Sequence, residues 1–370
     1  MNRLWLILIL SLTLVGCTST DFIDYIETYI SPTISAPTTQ EVVGDSTGDW
    51  YEVYFTSPTI PFDKVYFGGI EEHLIQKINA AQNTIDLAVF EFDLENVAQS
   101  LIQAEERGVK VRVVYDNEYS DPDPQMAELI SSGIEAVPDN RSAYMHNKFF
   151  IFDGKCIWTG SFNISLNAAY KNNENALYFC SQEVATNYTT EFSEMFADQF
   201  GPSSPSDTPY PSFTIDGIFI ENYFAPEDEV MNKVIKAVEN AKTYIHFMAF
   251  SFTDDALADV MIQKKNQGIA LGGIFETRGA NTEYSQCQTL LSAGADISLD
   301  GNPSTFHHKV IVIDDTTVIL GSFNFSSNAN ESNDENLLIV HDSSLATAYE
   351  QEYQRMKLQS VIPLGNDCTK

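Results

Sequence analysis

Two similar α/β units, each a mixed sheet flanked by helices and related by a pseudo-two-fold axis, are the architecture this sequence predicts. Three observations predict it. The chain repeats itself at a spacing of 160 to 161 residues. Within each copy, apolar residues at helical spacing alternate with short apolar runs of strand type. A Pro/Ser-rich joint, "FGPSSPSDTPYPS" from Phe200 to Ser212, separates the copies. The expected organisation is a signal peptide over 1–16, a tether over 17–49, a first unit over 50–200, a linker over 201–211, a second unit over 212–358 and a tail over 359–370.

The N-terminus reads as an export signal. Arg3 supplies a positive charge, and Leu4 to Val15 is an apolar run interrupted only by Ser11 and Thr13. That run is too short to span a bilayer and has the length of a signal core. "LVGC" follows, Leu14 to Cys17, and resembles the bacterial lipobox, which makes Cys17 the expected lipidation site. A lipidated Cys17 gives an anchor on the cell envelope rather than a span; without it the protein is expected to be secreted. The stretch from Thr18 to Asp49 is rich in Ser, Thr and Pro and reads as a flexible tether, with a short helix at Asp21 to Tyr29.

The repeat then sets the elements in order. "GIEEHLIQKINAAQNTIDLAVFEF" from Gly69 matches "DEVMNKVIKAVENAKTYIHFMAFSF" from Asp228. Ile70, Leu74, Ile78 and Ala81 form the apolar stripe of one helix, and Met231, Val234, Val238 and Ala241 that of the other. "AEERGVKVRVVYD" matches "KKNQGIALGGIFE", with Gly108 and Gly268 where a helix stops and a strand starts. "LISSGIEA" matches "LLSAGADI", with Gly133 and Gly294 in the same role. Four cysteines remain besides Cys17, an even number that permits disulfides in an exported protein. Cys156 and Cys180 fall on two expected strands and are the better pair; four free buried thiols are the alternative.

Composition bounds the partners. With 44% hydrophobic and 12% aromatic residues, the 370-residue chain is a folding sequence. Its formal charge of −32 repels nucleic-acid phosphates and anionic membranes at long range, and no basic stripe for tracking a nucleic-acid backbone is visible. No CxxC or His-rich spacing suggests a metal site. No obligate protein partner is evident.

The last matched blocks keep polar residues. "HNKFFIFDGKCIWTGSFNIS" begins at His146 and "HHKVIVIDDTTVILGSFNFS" at His307. His146 and Lys148 are expected to alternate on one face of a strand, as are His307 and Lys309. Asp153 and Asp314 close the strands; Gly160, Ser161 and Asn163 recur as Gly321, Ser322 and Asn324. "NENALYF" recurs as "NDENLLIV", which puts Glu174 and Glu335 each 28 residues after its His. A lone strand histidine is usually a satisfied core residue. Packing alone gives no reason to fix this whole polar set twice.

Chemistry does. An imidazole whose Nδ1 is held by a carboxylate leaves Nε2 free to attack phosphorus or to donate a proton. Lysine, serine and asparagine donors bind nonbridging phosphate oxygens where charge must be held. Two such sets facing each other supply one nucleophile and one general acid. Ser161 and Ser322 are expected to bind substrate; His146, Lys148, Asn163, Glu174, His307, Lys309, Asn324 and Glu335 are the expected catalytic set.

H-x-K-x(4)-D followed by G-S-x-N, present twice and complete as "HNKFFIFD" and "HHKVIVID", resembles the phospholipase D superfamily from about residue 50 onward. The resemblance implies paired α/β units with one site at their interface, a phosphohistidine intermediate and no cofactor. It assigns the attack to His146 and the acid role to His307, a structural role to Asp153 and Asp314, and the orientation of the histidines to Glu174 and Glu335. It makes His308, facing away from His307, a supporting residue. The expected function is that of a phospholipase D-type phosphodiesterase acting on phospholipid at a membrane surface. An exported nuclease with nucleic acid as substrate is the alternative, and a catalytically decayed binding protein is the third reading.

Overall fold

The computed structural model describes residues 45–364 and 367–368. The expected signal peptide, Cys17, the helix expected at Asp21–Tyr29 and the expected tether up to residue 44 lie outside the described residues. The described residues from 45 onward form one compact unit that contains both halves.

The first half runs β1 (Ser46–Thr47), β2 (Tyr51–Phe55), α1 (Ile70–Ala80), β3 (Thr84–Val89), α2 (Glu95–Glu106), β4 (Lys110–Tyr115), α3 (Asn117–Ser120), α4 (Pro124–Ser131), β5 (Glu135–Pro138), β6 (Phe149–Phe152), β7 (Cys156–Gly160), α5 (Leu166–Tyr170), β8 (Asn175–Cys180) and α6 (Gln182–Phe196). The second runs β9 (Ser212–Ile215), β10 (Ile218–Ala225), α7 (Val230–Glu239), β11 (Tyr244–Ala249), α8 (Asp255–Asn266), β12 (Ala270–Phe275), α9 (Thr277–Ala280), α10 (Cys287–Ser292), β13 (Asp296–Leu299), β14 (Lys309–Ile313), β15 (Thr317–Gly321), α11 (Ser327–Glu331), β16 (Glu335–His341) and α12 (Ser343–Gln359).

Each half builds one eight-stranded sheet, ordered β1-β2-β8-β7-β6-β3-β4-β5 in the first and β9-β10-β16-β15-β14-β11-β12-β13 in the second. The two orders correspond strand for strand. β3, β4 and β5 pair in parallel, as do β11, β12 and β13, because a helix carries the chain back between them. The motif strands join antiparallel, β6 to β3 and β14 to β11. The mixed sheet is thus the expected one, written twice.

Strand alternation sets the layers. In β6, Phe149 and Ile151 face a core shared by both halves, and Phe150 and Phe152 face the first half's own helices. In β14, Val310 and Val312 face the shared core, and Ile311 and Ile313 the second half's helices. α6 and α12 lie in the shared core, which buries Tyr188, Phe192, Tyr349 and Tyr353 between the sheets. The expected helix stripes, from Ile70 to Ala81 and from Met231 to Ala241, are buried. Gly108, Gly133, Gly268 and Gly294 follow their helices at positive φ.

Two expectations need correction. The tether was expected to run to residue 49, but Ser46 and Thr47 pair with Val53 and Glu52 as an edge strand. His146, Lys148 and His307 were expected inside strands, yet β6 begins at Phe149 and β14 at Lys309. The reason is that the backbone ahead of each motif strand bonds to the other half instead of to its own sheet. His146 N donates to Asp334 O at 2.9 Å, and His307 N to Asn173 O at 2.9 Å.

Cys156 and Cys180 sit opposite each other on β7 and β8 and form a disulfide, the expected pair. A second disulfide, Cys287 to Cys368, ties the chain's end to α10. Its sequence separation of 81 residues gave no local signal.

Candidate active site

The crossed backbone contacts bring the start of β6 against the start of β16, and the start of β14 against the start of β8. The two histidines meet their carboxylates there. Nδ1 of His146 lies 2.8 Å from Oε2 of Glu335, and Nδ1 of His307 lies 2.8 Å from Oε2 of Glu174. Each pair joins one half to the other, so neither histidine uses the glutamate that follows it in its own repeat. In each ring Nε2 is the nitrogen not bonded to the glutamate.

The carboxylates are held in turn. Ser161 Oγ donates to Glu174 at 2.7 Å, and Asn172 Nδ2 reaches it at 3.2 Å. Ser322 Oγ donates to Glu335 at 2.7 Å, and Asn333 Nδ2 reaches it at 3.3 Å. This corrects the expectation that the two serines bind substrate: both hydroxyls are fully buried and committed to the glutamates. A buried carboxylate without such donors is too costly to keep in place, which is why the serine recurs with the glutamate.

Lys148 Nζ donates to the carbonyl of His146 at 2.7 Å, and Lys309 Nζ to that of His307 at 2.8 Å. Phe90 and Phe250, at equivalent places after β3 and β11, pack edge-on against His146 and His307 at 4.7 and 4.8 Å. The same rings lie under the lysines, at 4.7 and 5.0 Å from Nζ. These phenylalanines were missed in the sequence, although "VFEF" and "AFSF" recur in register and carried the signal.

Asn163 and Asn324 line the cleft, and Oδ1 of each is buried without a partner in the protein. The open atom of each is an acceptor, and the Nδ2 donor of the same amide is the group from which a phosphate oxygen can accept. The cleft has a volume of about 720 Å³, and His146 and His307 both line it. Phe90, Tyr119 and Tyr144 line its first-half side, and Phe250, Arg278 and Thr305 its second-half side. Glu91 lies on the wall, accepting a hydrogen bond from Ser165 Oγ at 3.0 Å.

The remaining motif residues support the frame. Asp153 accepts backbone N–H bonds from Gln82, Asn83 and Thr84, and Asp314 from Lys242, Thr243 and Tyr244, so each aspartate fixes the entry into β3 or β11. Gly160 and Gly321 pass so close to the next strand that a Cβ would lie 2.4 Å from Asn175 O and 2.2 Å from Asn336 O. His308 is buried away from the cleft, with Nδ1 at 2.9 Å from Asn175 Nδ2 and Nε2 at 3.2 Å from Glu352 Oε1. Asn147 holds the equivalent place, accepting from Asn336 Nδ2 at 2.8 Å. The His308–Asn175 and Asn147–Asn336 contacts cross between the halves, and His308–Glu352 stays within the second.

Burial sets the protonation of the site. It pushes the Glu335 carboxyl up to about 8 and that of Glu174 up to about 7, against lysine charge and hydrogen bonds that act downward. It brings Lys148 down to about 8 and Lys309 down to about 7. Burial, then the neighbouring lysines, hold both imidazoles well below the ordinary histidine value. These shifts favour the neutral imidazole before a phosphate anion binds. A histidine that is to serve as acid must gain a proton, which the facing carboxylate and a bound phosphate anion both favour. Among the described residues no group of three or more His, Cys, Asp or Glu side chains is arranged to hold a metal ion.

Comparison with known proteins meets this doubled site on its own terms. A family model described as "Cardiolipin synthase, PLD-like domain" matches residues 74–196 and, a second time, residues 234–357. The chain belongs to the phospholipase D superfamily. Each match takes in one complete His-Lys-Asp motif and the glutamate of the same half.

Among its phospholipase D-like relatives, the mitochondrial cardiolipin hydrolase of Xenopus laevis is 33% identical over 132 residues, 35% of this chain and 62% of that protein. The match therefore spans less than two thirds of the frog protein. The phospholipase D of Rickettsia prowazekii (strain Madrid E) is 28% identical over 141 residues, 38% of this chain and 69% of that one. The crystal structure of phosphatidylserine synthase from Haemophilus influenzae Rd KW20 covers 85% of this chain and 88% of its own at a TM-score of 0.63 and 12% identity, a likeness of fold.

Proposed function

We propose that the protein is a phosphodiesterase of the phospholipase D type that cleaves the headgroup from a phospholipid. The observation that carries this reading is the pair of buried His–Glu couples, each 2.8 Å long, with both histidines on one cleft. Nε2 of His146 attacks phosphorus and forms the P–N bond. The P–O bond to the headgroup breaks, and the departing oxygen takes its proton from Nε2 of His307. His307 then accepts a proton from water, whose oxygen attacks phosphorus. The P–N bond breaks, and phosphatidic acid leaves with His146 restored. Lys148, Lys309 and the amides of Asn163 and Asn324 hold the nonbridging oxygens; a bound phosphate anion favours the charged form of both lysines. Glu335 and Glu174 stabilise whichever imidazolium forms.

Phospholipid is favoured over nucleic acid because the formal charge of −32 opposes any long polyanion. The relatives named phospholipase D and cardiolipin hydrolase support the same choice. We also propose export and anchoring through Cys17, on the strength of the lipobox-like "LVGC" alone.

The test is a side-by-side assay of the purified protein on phosphatidylcholine, phosphatidylglycerol, cardiolipin and single-stranded DNA. Headgroup release with no DNA cleavage is expected. DNA cleavage without lipid turnover makes the protein a nuclease, and binding without turnover of any of the four makes it a decayed binding protein.

A further inference from the structure

We propose that residues 56–69, between β2 and α1, form an apolar finger that inserts into an uncharged phospholipid bilayer beside the catalytic cleft. The inference rests on the phospholipid reading above and adds how the enzyme reaches a substrate that lies in a membrane.

The two halves make the argument by contrast. In the second half, β10 ends at Ala225 and α7 begins at Val230, so residues 226–229 suffice for the connection. In the first half β2 ends at Phe55 and α1 begins only at Ile70. The fold does not need the additional chain, since the other half makes the same join without it. The sequence of this segment, "TSPTIPFDKVYFGG", is rich in large apolar residues. They are not buried. Phe67 is 75% exposed, Ile60 46%, Val65 45% and Tyr66 43%. Four large apolar side chains left open on one loop mark a surface made to be covered.

The loop's root places it at the site. Thr56, its first residue, donates its backbone N–H to Glu174 O at 3.1 Å and its hydroxyl to Asn172 O at 2.7 Å. Asn172 lines the cleft and Glu174 orients His307. At the other end, Tyr66 packs edge-on against Tyr170 of α5, at 5.5 Å, and α5 follows directly on the Asn163 segment. The finger is thus fastened at both ends to the elements that carry catalytic groups.

Charge selects the occupant. Asp63 and Lys64 are the only charged residues of the segment, so it is neutral on a chain of formal charge −32. Such a body is repelled by an anionic lipid surface and gains nothing from it electrostatically. An uncharged, zwitterionic bilayer accepts the neutral finger without that penalty and holds it by apolar burial. Aromatic residues with a neighbouring lysine are the side chains that settle at the headgroup boundary. Among the described residues no helix is long and apolar enough to cross a membrane, so the contact made here is interfacial.

The test uses the full chain with Phe67→Trp as a reporter and vesicles of phosphatidylcholine with plain or brominated acyl chains. A blue shift on vesicle addition, and quenching by brominated chains beyond that of the wild-type tryptophans, are expected. In parallel, Phe67→Glu is assayed on vesicles and on a short-chain phosphatidylcholine kept below its micelle concentration. Vesicle turnover should fall about tenfold or more, the scale of removing one phenylalanine from apolar surroundings, with turnover of the soluble lipid unchanged. The finger is overturned if no added quenching appears, if Phe67→Glu leaves vesicle turnover intact, or if both substrates are lost together. It is also overturned if the blue shift appears without vesicles as protein concentration rises, which assigns the surface to a second copy. Failure of the wild type on both lipids, with quenching retained, is instead a failure of the phospholipase reading.

Discussion

Glu335 holds Nδ1 of His146 from the opposite half of the molecule, at 2.8 Å, and Glu174 does the same for His307. Because the carboxylates are exchanged between halves, neither half contains a complete His–Glu couple. A complete His–Glu couple therefore depends on the interface as much as on the motifs.

The exchange predicts distinct defects for the two glutamates. Removing the negative charge that orients a catalytic histidine costs about 10⁴ in kcat in a hydrolytic triad, and a large loss is expected here for Glu335→Gln and for Glu174→Gln. With His146 as nucleophile, Glu335→Gln impairs formation of the phosphohistidine. Glu174→Gln acts through His307, so with an activated substrate the intermediate forms and accumulates. Rapid-quench measurement of phosphorylated protein distinguishes them. Accumulation in Glu335→Gln instead would assign each glutamate to the histidine of its own half, against the geometry.

The roles of the histidines separate with leaving-group chemistry. Both His146→Ala and His307→Ala should lower turnover of a natural diester by orders of magnitude. A p-nitrophenyl ester needs little protonation on departure, so His307→Ala should regain part of its activity on it and His146→Ala none. Rescue of His146→Ala in its place reverses the assignment.

Activity is expected to survive EDTA. The positive charge of the proposed site comes from Lys148 and Lys309, each buried and bonded to the carbonyl of its motif histidine. Turnover lost to the chelator and restored by Mg²⁺ or Zn²⁺ would remove this mechanism.

A pH-dependent stability term lies where α6 meets the linker and the start of the second half. Burial, with Asp207 hydrogen-bonded beside it, pushes the Glu194 carboxyl up to about 8. Burial also pushes Glu227 up to about 7, with Glu191 held well above its ordinary value next to it. Carboxyls raised in the fold bind protons more tightly there than in the unfolded chain. Their contribution is present below the ordinary glutamate value and is lost as pH rises through about 7 to 8. Glu194→Gln removes one such proton. The thermal midpoint of Glu194→Gln minus that of the wild type should therefore rise from pH 5 to pH 8, and a difference flat with pH would refute the assignment.

Much of this protein was written locally. The stripe Ile70, Leu74, Ile78 and the runs "FFIF" and "VIVI" fix helices and strands, because side-chain periodicity depends only on neighbours along the chain. Duplication made the fold legible twice, and the fixed polar letters come together: both histidines and both asparagines line one cleft, with the glutamates bonded to the histidine rings and the lysines to the histidine carbonyls. Cys156 and Cys180 were readable for the same reason, since adjacent strands bring them opposite each other.

What the chain could not tell was which copy touches which. His146 stands 28 residues from Glu174 and 189 from Glu335, and it pairs with the distant one. Both halves carry the same letters in the same order, so a contact within a half and a contact across halves leave the same trace in the sequence. The backbone decided it: once His146 N bonds Asp334 O and His307 N bonds Asn173 O, each histidine is carried to the other half's glutamate. The serines were misread on the same account, because a hydroxyl two residues before a cleft asparagine serves substrate or scaffold according to which group folding buries beside it. Ser161 and Ser322 meet buried carboxylates, and an unsatisfied buried carboxylate is the costlier state. The sequence by itself determined two copies of an α/β unit and which polar residues recur in each; only the packing of one sheet against the other decided that each copy completes its partner's His–Glu couple.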